Sequence, residues 1–151
     1  MKAMLFAALF LVPFIAEAKE DFALEFIDKS VIVDNTNDWV FVAAEGKVYN
    51  LYVSKDAIAA GETRVPLHSK VEFLEKDGFK FDALQQPIKR IFSFGIIDCE
   101  NAALYLITDF FVDSNNKIVH MQEHEPGDYI VEMLTPNTPR NSLYKAVCNI
   151  K

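Results

Sequence analysis

The sequence has little from which to build an active centre. It holds two cysteines, three histidines and five glycines among 151 residues, and each scarcity removes a class of function. The scattered glycines form no Gly-rich loop of the kind that cradles phosphate. None of the serines lies in a Gly-x-Ser-x-Gly elbow, so that nucleophile arrangement is absent. The cysteines sit far apart, which fits neither a C-x-x-C redox pair nor a four-ligand metal set at short spacings. Positive charge is also sparse: 15 Lys and Arg against 22 Asp and Glu leave a formal charge of −7. With no basic stripe and no interleaved aromatics, the balance disfavours nucleic acid or an anionic membrane and favours basic or mixed-charge protein partners. The chain contains no internal repeat, low-complexity tract or linker, and its length fits one domain with a real core.

What is present begins with an apolar run. Lys2 precedes an almost unbroken apolar stretch from Ala3 to Ile15, and Ala16-Glu17-Ala18 then places small residues before the charged Lys19-Glu20-Asp21. The pattern predicts a cleavable signal peptide over residues 1–18 and a single exported domain over 19–151. The stretch is shorter than the ~20 apolar residues of a membrane-crossing helix, and no later segment reaches that length. The mature chain is therefore expected without membrane insertion, periplasmic or secreted. Neither cysteine lies beside the cleavage site, so no lipoprotein box anchors the product. In an oxidising compartment an even pair reads as a disulfide, and only Cys99 with Cys148 is possible.

Strand signals dominate the rest. Asp21 to Val33 suits either a strand or a helical turn, and Asp34 to Asp38 is a polar turn. Trp39 to Ala44 and Lys47 to Val53 read as a hairpin about Glu45-Gly46. Ser54 to Gly61 holds one helical turn stopped by glycine. Thr63 to Glu75 reads as a strand with a change of phase at His68-Ser69-Lys70, which predicts a bulge there. Asp77-Gly78 is a turn, with Phe79 and Phe81 alternating after it. Ile88 to Asp98 and Ala102 to Val112 read as adjacent central strands. Asp113 to Lys117 is a turn, Ile118 to Gln122 a strand with Ile118 and His120 on one side, and Tyr129 to Met133 a short pairing segment. Thr138 then caps a helix with Pro139 at its first position, and Leu143, Tyr144, Val147 and Cys148 form its apolar stripe. The fold class expected is α+β, mostly β: an antiparallel sheet of about six strands, with the disulfide stapling a carboxy-terminal helix to it.

Few residues invite a chemical role. His120, His124, Glu123 and Glu125 are the nearest approach to a cluster, but a strand residue and a Pro-Gly loop residue should diverge, which makes His124 a solvated strand end. His68 is expected as a bulge residue. Phe92, Phe94, Phe110 and Phe111, four of thirteen phenylalanines, are expected in the core, with Trp39 in the core or at its rim. No catalytic, metal-ligating or cofactor-binding residue is assigned, and no cofactor is expected.

The order of features is similar to a known family. Trp39, the strand Val48-Tyr49-Asn50-Leu51-Tyr52-Val53 with its short excursion, Asp98-Cys99 closing a long strand, the turn Asp113 to Lys117, and Pro136-Asn137-Thr138 leading into Leu143-Tyr144-Lys145-Ala146-Val147-Cys148 together resemble the bacterial surface-adhesin protein E family. The resemblance runs from Trp39 to Cys148. It implies a six-stranded antiparallel sheet with a disulfide-tied carboxy-terminal helix. It also implies binding of host matrix or serum proteins such as laminin, vitronectin and plasminogen, although the lipid-anchoring cysteine of the founding member has no counterpart here. The expectation is thus an exported, non-catalytic protein-binding domain of a Gram-negative bacterium, acting through edge strands and loops. The alternative is a periplasmic inhibitor or accessory module, for example one whose acidic surface opposes lysozyme. A small hydrolase is a third possibility.

Overall fold

A computed structural model describes residues 38–127 and 132–150. The expected signal, the ambiguous stretch 21–33, the turn residues 34–37 and residues 129–131 lie outside the described residues. Six strands, β1 (Trp39–Glu45), β2 (Tyr49–Ser54), β3 (Arg64–Phe73), β4 (Arg90–Asp98), β5 (Ala103–Val112) and β6 (Ile118–Glu123), form one sheet in the order β1-β2-β3-β4-β5-β6. Every neighbouring pair is antiparallel. The β1–β2, β4–β5 and β5–β6 neighbours follow from their connections, since a short turn returns a chain to an adjacent antiparallel strand. The expected fold class stands as read: a mostly β domain with a carboxy-terminal helix disulfide-bonded to its sheet.

Helix α1 (Lys55–Ala59) starts at Ser54, whose Oγ accepts the Ala57 N–H, and Gly61 at φ +64° turns the chain back into β3. Helix α2 (Pro139–Val147) starts where the Thr138-Pro139 pair predicts, with the Thr138 Oγ1 accepting the Asn141 N–H. A 3-10 turn over Glu132–Leu134 precedes α2. Met133 belongs to that turn, so the short strand expected at 129–133 does not reach it.

Alternation sorts the side chains onto two faces. Leu51, Val53, Val65, Leu67, Ile97 and Leu104 face α2 and pack with Leu143, Tyr144, Val147 and Met133. On the opposite face Phe92, Phe94, Phe110 and Val112 form a second buried cluster with Trp39 and Ile118 against it. Phe111 is half-buried and belongs to the helix face, unlike the three phenylalanines with which it was grouped. There it meets the edge of Phe81, and Phe81, Phe79 and Phe73 continue the contact. Phe79 and Phe81 come from the β3–β4 connection, which folds over the helix face of the sheet beside Phe73, at the end of β3, and Phe111 of β5. An isolated bridge between Phe79 and Ile88 and the Lys89 ammonium, donating to the carbonyls of Phe73 and Glu75, hold it there.

The predicted bulge at His68-Ser69-Lys70 is absent. Strand β3 keeps unbroken register with β4 through all three residues, and with β2 through Ser69 and Lys70. The polar side chains are buried in phase: Ser69 shares the helix face with Leu67 and Val71, and Lys70, 3% exposed, points to the other face. The Lys70 ammonium lies 5.0 Å from the ring centroids of both Trp39 and Tyr52, a cation–π placement that offsets its burial. His68 is accordingly a mid-strand residue with its ring against Phe94. Bulges occur elsewhere: between Phe41 and Ala43 in β1, beside Gly95 where β4 meets β5, and between Ile118 and His120 in β6. The last of these places Ile118 against the Phe92 cluster and His120 beside Phe111, on opposite faces rather than together.

Candidate functional site

Cys99 follows β4 and Cys148 caps α2, and their sulfurs are bonded with 5.6 Å between Cα atoms. The junction is reinforced on both sides. Tyr144 donates its phenolic hydrogen to the Cys99 carbonyl at 2.9 Å. Asp98, immediately before Cys99, organises the turn into β5: Oδ1 accepts the N–H groups of Glu100 and Asn101, and Oδ2 accepts the Asn101 side-chain amide. These bonds, the Asn101 side chain's first, hold the Asp98 carboxyl below its ordinary value, with Arg64 adding to the effect. The pair is a structural staple that fixes the helix over the sheet.

A polar row crosses the helix face between its two apolar halves. Register places Ser69 opposite Ser93, Ser93 opposite Asp109, and Asp109 opposite Gln122. At the row's outer end His124 turns back onto the sheet, its Nε2 2.7 Å from Asp109 Oδ2. Asp109 is buried, and its second oxygen, Oδ1, has no hydrogen-bond partner. His124 is therefore not the solvated strand end that its loop position implies. Gln122 comes opposite Asp109 across the Asp113–Lys117 turn, and His124 lies one row further on the same face, a placement visible only once register is known.

A carboxylate joined to an imidazole is the base half of a nucleophilic relay, which also requires the nucleophile on the imidazole's other nitrogen. Here the order across the sheet is Ser93, Asp109, His124. The carboxylate stands between hydroxyl and ring, so the order does not suit proton transfer from Ser93 to His124. Among the described residues no group of three or more His, Cys, Asp or Glu is placed to hold a metal ion. His120 packs on Phe111 rather than joining His124.

Among the described residues two further surface features bear on binding. A cavity of about 430 Å³ at the start of α2 is lined by Tyr49, Thr135, Thr138, Pro139 and Arg140. Burial pushes the Tyr49 phenol above its ordinary value, Glu45 adds to this, and Arg140 opposes it. The other feature is the β6 edge. Its residues are half-buried to exposed throughout, Met121 is 38% exposed, and β6 packs chiefly on β5. Beside it Val119 lines a cavity of about 220 Å³ with Ala83, Leu84, Gln85 and Gln86 of the β3–β4 connection. Side chains close the adjoining turn: Asp113 Oδ1 accepts from the N–H groups of Asn115 and Lys117, and Arg90 donates to the Asn116 side chain.

No family model matches the chain, and no curated protein matches it.

Proposed function

We propose that the chain is an exported, non-catalytic protein-binding domain of surface-adhesin E type, with host matrix or serum proteins as its partner class. The observation that carries the reading is the architecture. A six-stranded antiparallel sheet with its last helix bonded to the end of β4 through Cys99 and Cys148 is the arrangement that the family resemblance implies. A sheet braced in this way presents edge strands and loops as fixed surfaces, which lowers the ordering cost of binding a partner. Fold likeness alone does not assign function, so the reading is tested on the binding itself.

The test is saturable binding of the purified protein to immobilised laminin, vitronectin and plasminogen, with lysozyme in parallel, together with fractionation of the native cell. Binding to at least one host protein, with the chain outside the cytoplasm, is the expected result. Binding to lysozyme alone would replace the adhesin reading with the inhibitor one. Absence of saturable binding to all four would remove the basis of both.

A further inference from the structure

We infer that residues 21–33 of this chain dock across the face of the sheet opposite α2 and complete its second core. The far face is then interior, and a binding partner meets the protein elsewhere.

That face is built as core. Phe92, Phe94, Phe110 and Val112 are each at most 3% exposed there, and Trp39 and Ile118 join the cluster from β1 and β6. The described helices all pack on the other side: Ala57 of α1, Met133 of the 3-10 turn, and Leu143, Tyr144 and Val147 of α2 belong to the opposite cluster. The β3–β4 connection lies on that side too, with Phe79 against Phe73 and Phe81 against Phe111. A sheet face with nothing over it leaves the outer side of its rings in water, so burial of this degree takes a second layer.

The occupant follows from where the chain leaves the described residues. Residues 128–131 run between His124 and Met133, both on the α2 face, and are too few to pass round the sheet, cover the cluster and return. Residues 1–18 are the expected signal, removed on export. The stretch that remains ends at Asp38, directly before Trp39, whose ring lies 5.9 Å from Phe92 in the far-face cluster. It carries Phe22, Leu24, Phe26, Val31 and Val33, apolar side chains enough to form a layer.

Length and charge agree with this placement. From β1 to β5 the sheet takes four interstrand steps, each about 4.8 Å. Residues 21–33 span that distance at about 1.5 Å per residue if helical, and have length to spare if extended. The buried ion of the far face is the Lys70 ammonium, and the segment carries Glu25 and Asp28, groups of the opposite sign.

The experiment is hydroxyl-radical labelling of side chains in the purified protein, read residue by residue by mass spectrometry against two internal references. Phe92 is buried on the far face, and Phe41 is 56% exposed. Phe22 and Phe26 should label as slowly as Phe92, with the difference from Phe41 lost in urea. Labelling of Phe22 and Phe26 at the Phe41 rate in the native protein overturns the assignment, and this arm needs no variant to fold. Protection of Phe92 that disappears on dilution, with Phe22 and Phe26 reactive, overturns it in favour of a second copy on the face. Phe22→Ser combined with Phe26→Ser supplies a second arm. Labelling of Phe92 and Phe110 should rise several-fold, and the emission of Trp39, the single tryptophan, should move to longer wavelength. Phe73, buried on the α2 face, should stay protected. A folded variant that keeps Phe92 protected and the Trp39 emission unchanged overturns the assignment as well. If Phe73 also becomes reactive, the variant has unfolded, and the labelling of Phe22 and Phe26 in the wild type decides.

Discussion

Tyr144 donates its hydroxyl hydrogen to the main-chain carbonyl of Cys99, 2.9 Å away, beside the bond joining Cys99 to Cys148. Helix and sheet are thus fastened twice at one residue, once covalently and once through a buried tyrosine. The disulfide closes a loop across a sequence separation of 49, which corresponds to roughly 4 kcal/mol of chain entropy removed from the unfolded state. Tyr144→Phe should cost about 1 kcal/mol. Replacing both cysteines by alanine should cost several times as much. Urea unfolding of the two variants and of their combination measures both. Because the contacts share Cys99, the combined loss should fall short of the sum. Unchanged stability after reduction would refute the staple.

Acid should act on the same junction through Asp98. Its carboxyl is held below the ordinary value of 3.8 by hydrogen bonds from Asn101 and Glu100 and by Arg64. A carboxyl depressed in the folded state stabilises the fold above its unfolded value, and that contribution disappears as pH falls through the lower, folded value. Thermal midpoints of wild type should therefore drop as pH goes from about 4 downward. In Asp98→Ala the midpoint is lower at neutral pH and the acid slope is shallower. Parallel slopes in the two proteins would show that Asp98 is not the group responsible.

The features legible in the sequence were those set by neighbours a few residues away. Thr138-Pro139 marks the start of α2, Leu143, Tyr144 and Val147 mark its buried stripe, and Glu45-Gly46 and Asp113 to Lys117 mark turns. The disulfide follows from a cysteine pair with one possible pairing. Misread features depend on partners far along the chain. Lys70 breaks the apolar pattern of β3 because its ammonium lies over Trp39 and Tyr52 from two other strands. Nothing near residue 70 signals those rings, so in the sequence a buried lysine looks like a change of phase. His124 likewise reads as solvated in the sequence, because the Asp109 that holds it lies 15 residues earlier.

That contact should be measurable in stability. Asp109 is buried with one oxygen on His124 and the other without a partner. In His124→Ala the carboxylate loses its remaining acceptor contact, which should cost about 1–3 kcal/mol. Asp109→Ala removes the buried polar group along with the bond, so the double variant should be less unstable than the single losses predict. A thermodynamic cycle by urea denaturation reads the coupling directly. Losses that add within about 0.5 kcal/mol would mean that the pair contributes nothing as a pair.

Gly95 occupies the one point in β4 where the opposing strand comes too close for a side chain. The register with β5 shifts between Phe94 and Gly95, leaving Ile107 without a partner on β4. A Cβ at position 95 would meet the Tyr105 carbonyl oxygen and lie 3.2 Å from the Leu106 Cα. Both obstacles are main chain and cannot rotate aside, so β4 and β5 would have to separate at the centre of the sheet. Gly95→Ala should lose about 3 kcal/mol, the upper end of the usual overpacking cost. Ser93→Ala, two residues along and half-buried, should change stability by about 0.5 kcal/mol or less. Urea midpoints of the two variants separate the cases: similar small losses would mean that β5 yields to the methyl group, and that the bulge does not fix the spacing of the two strands.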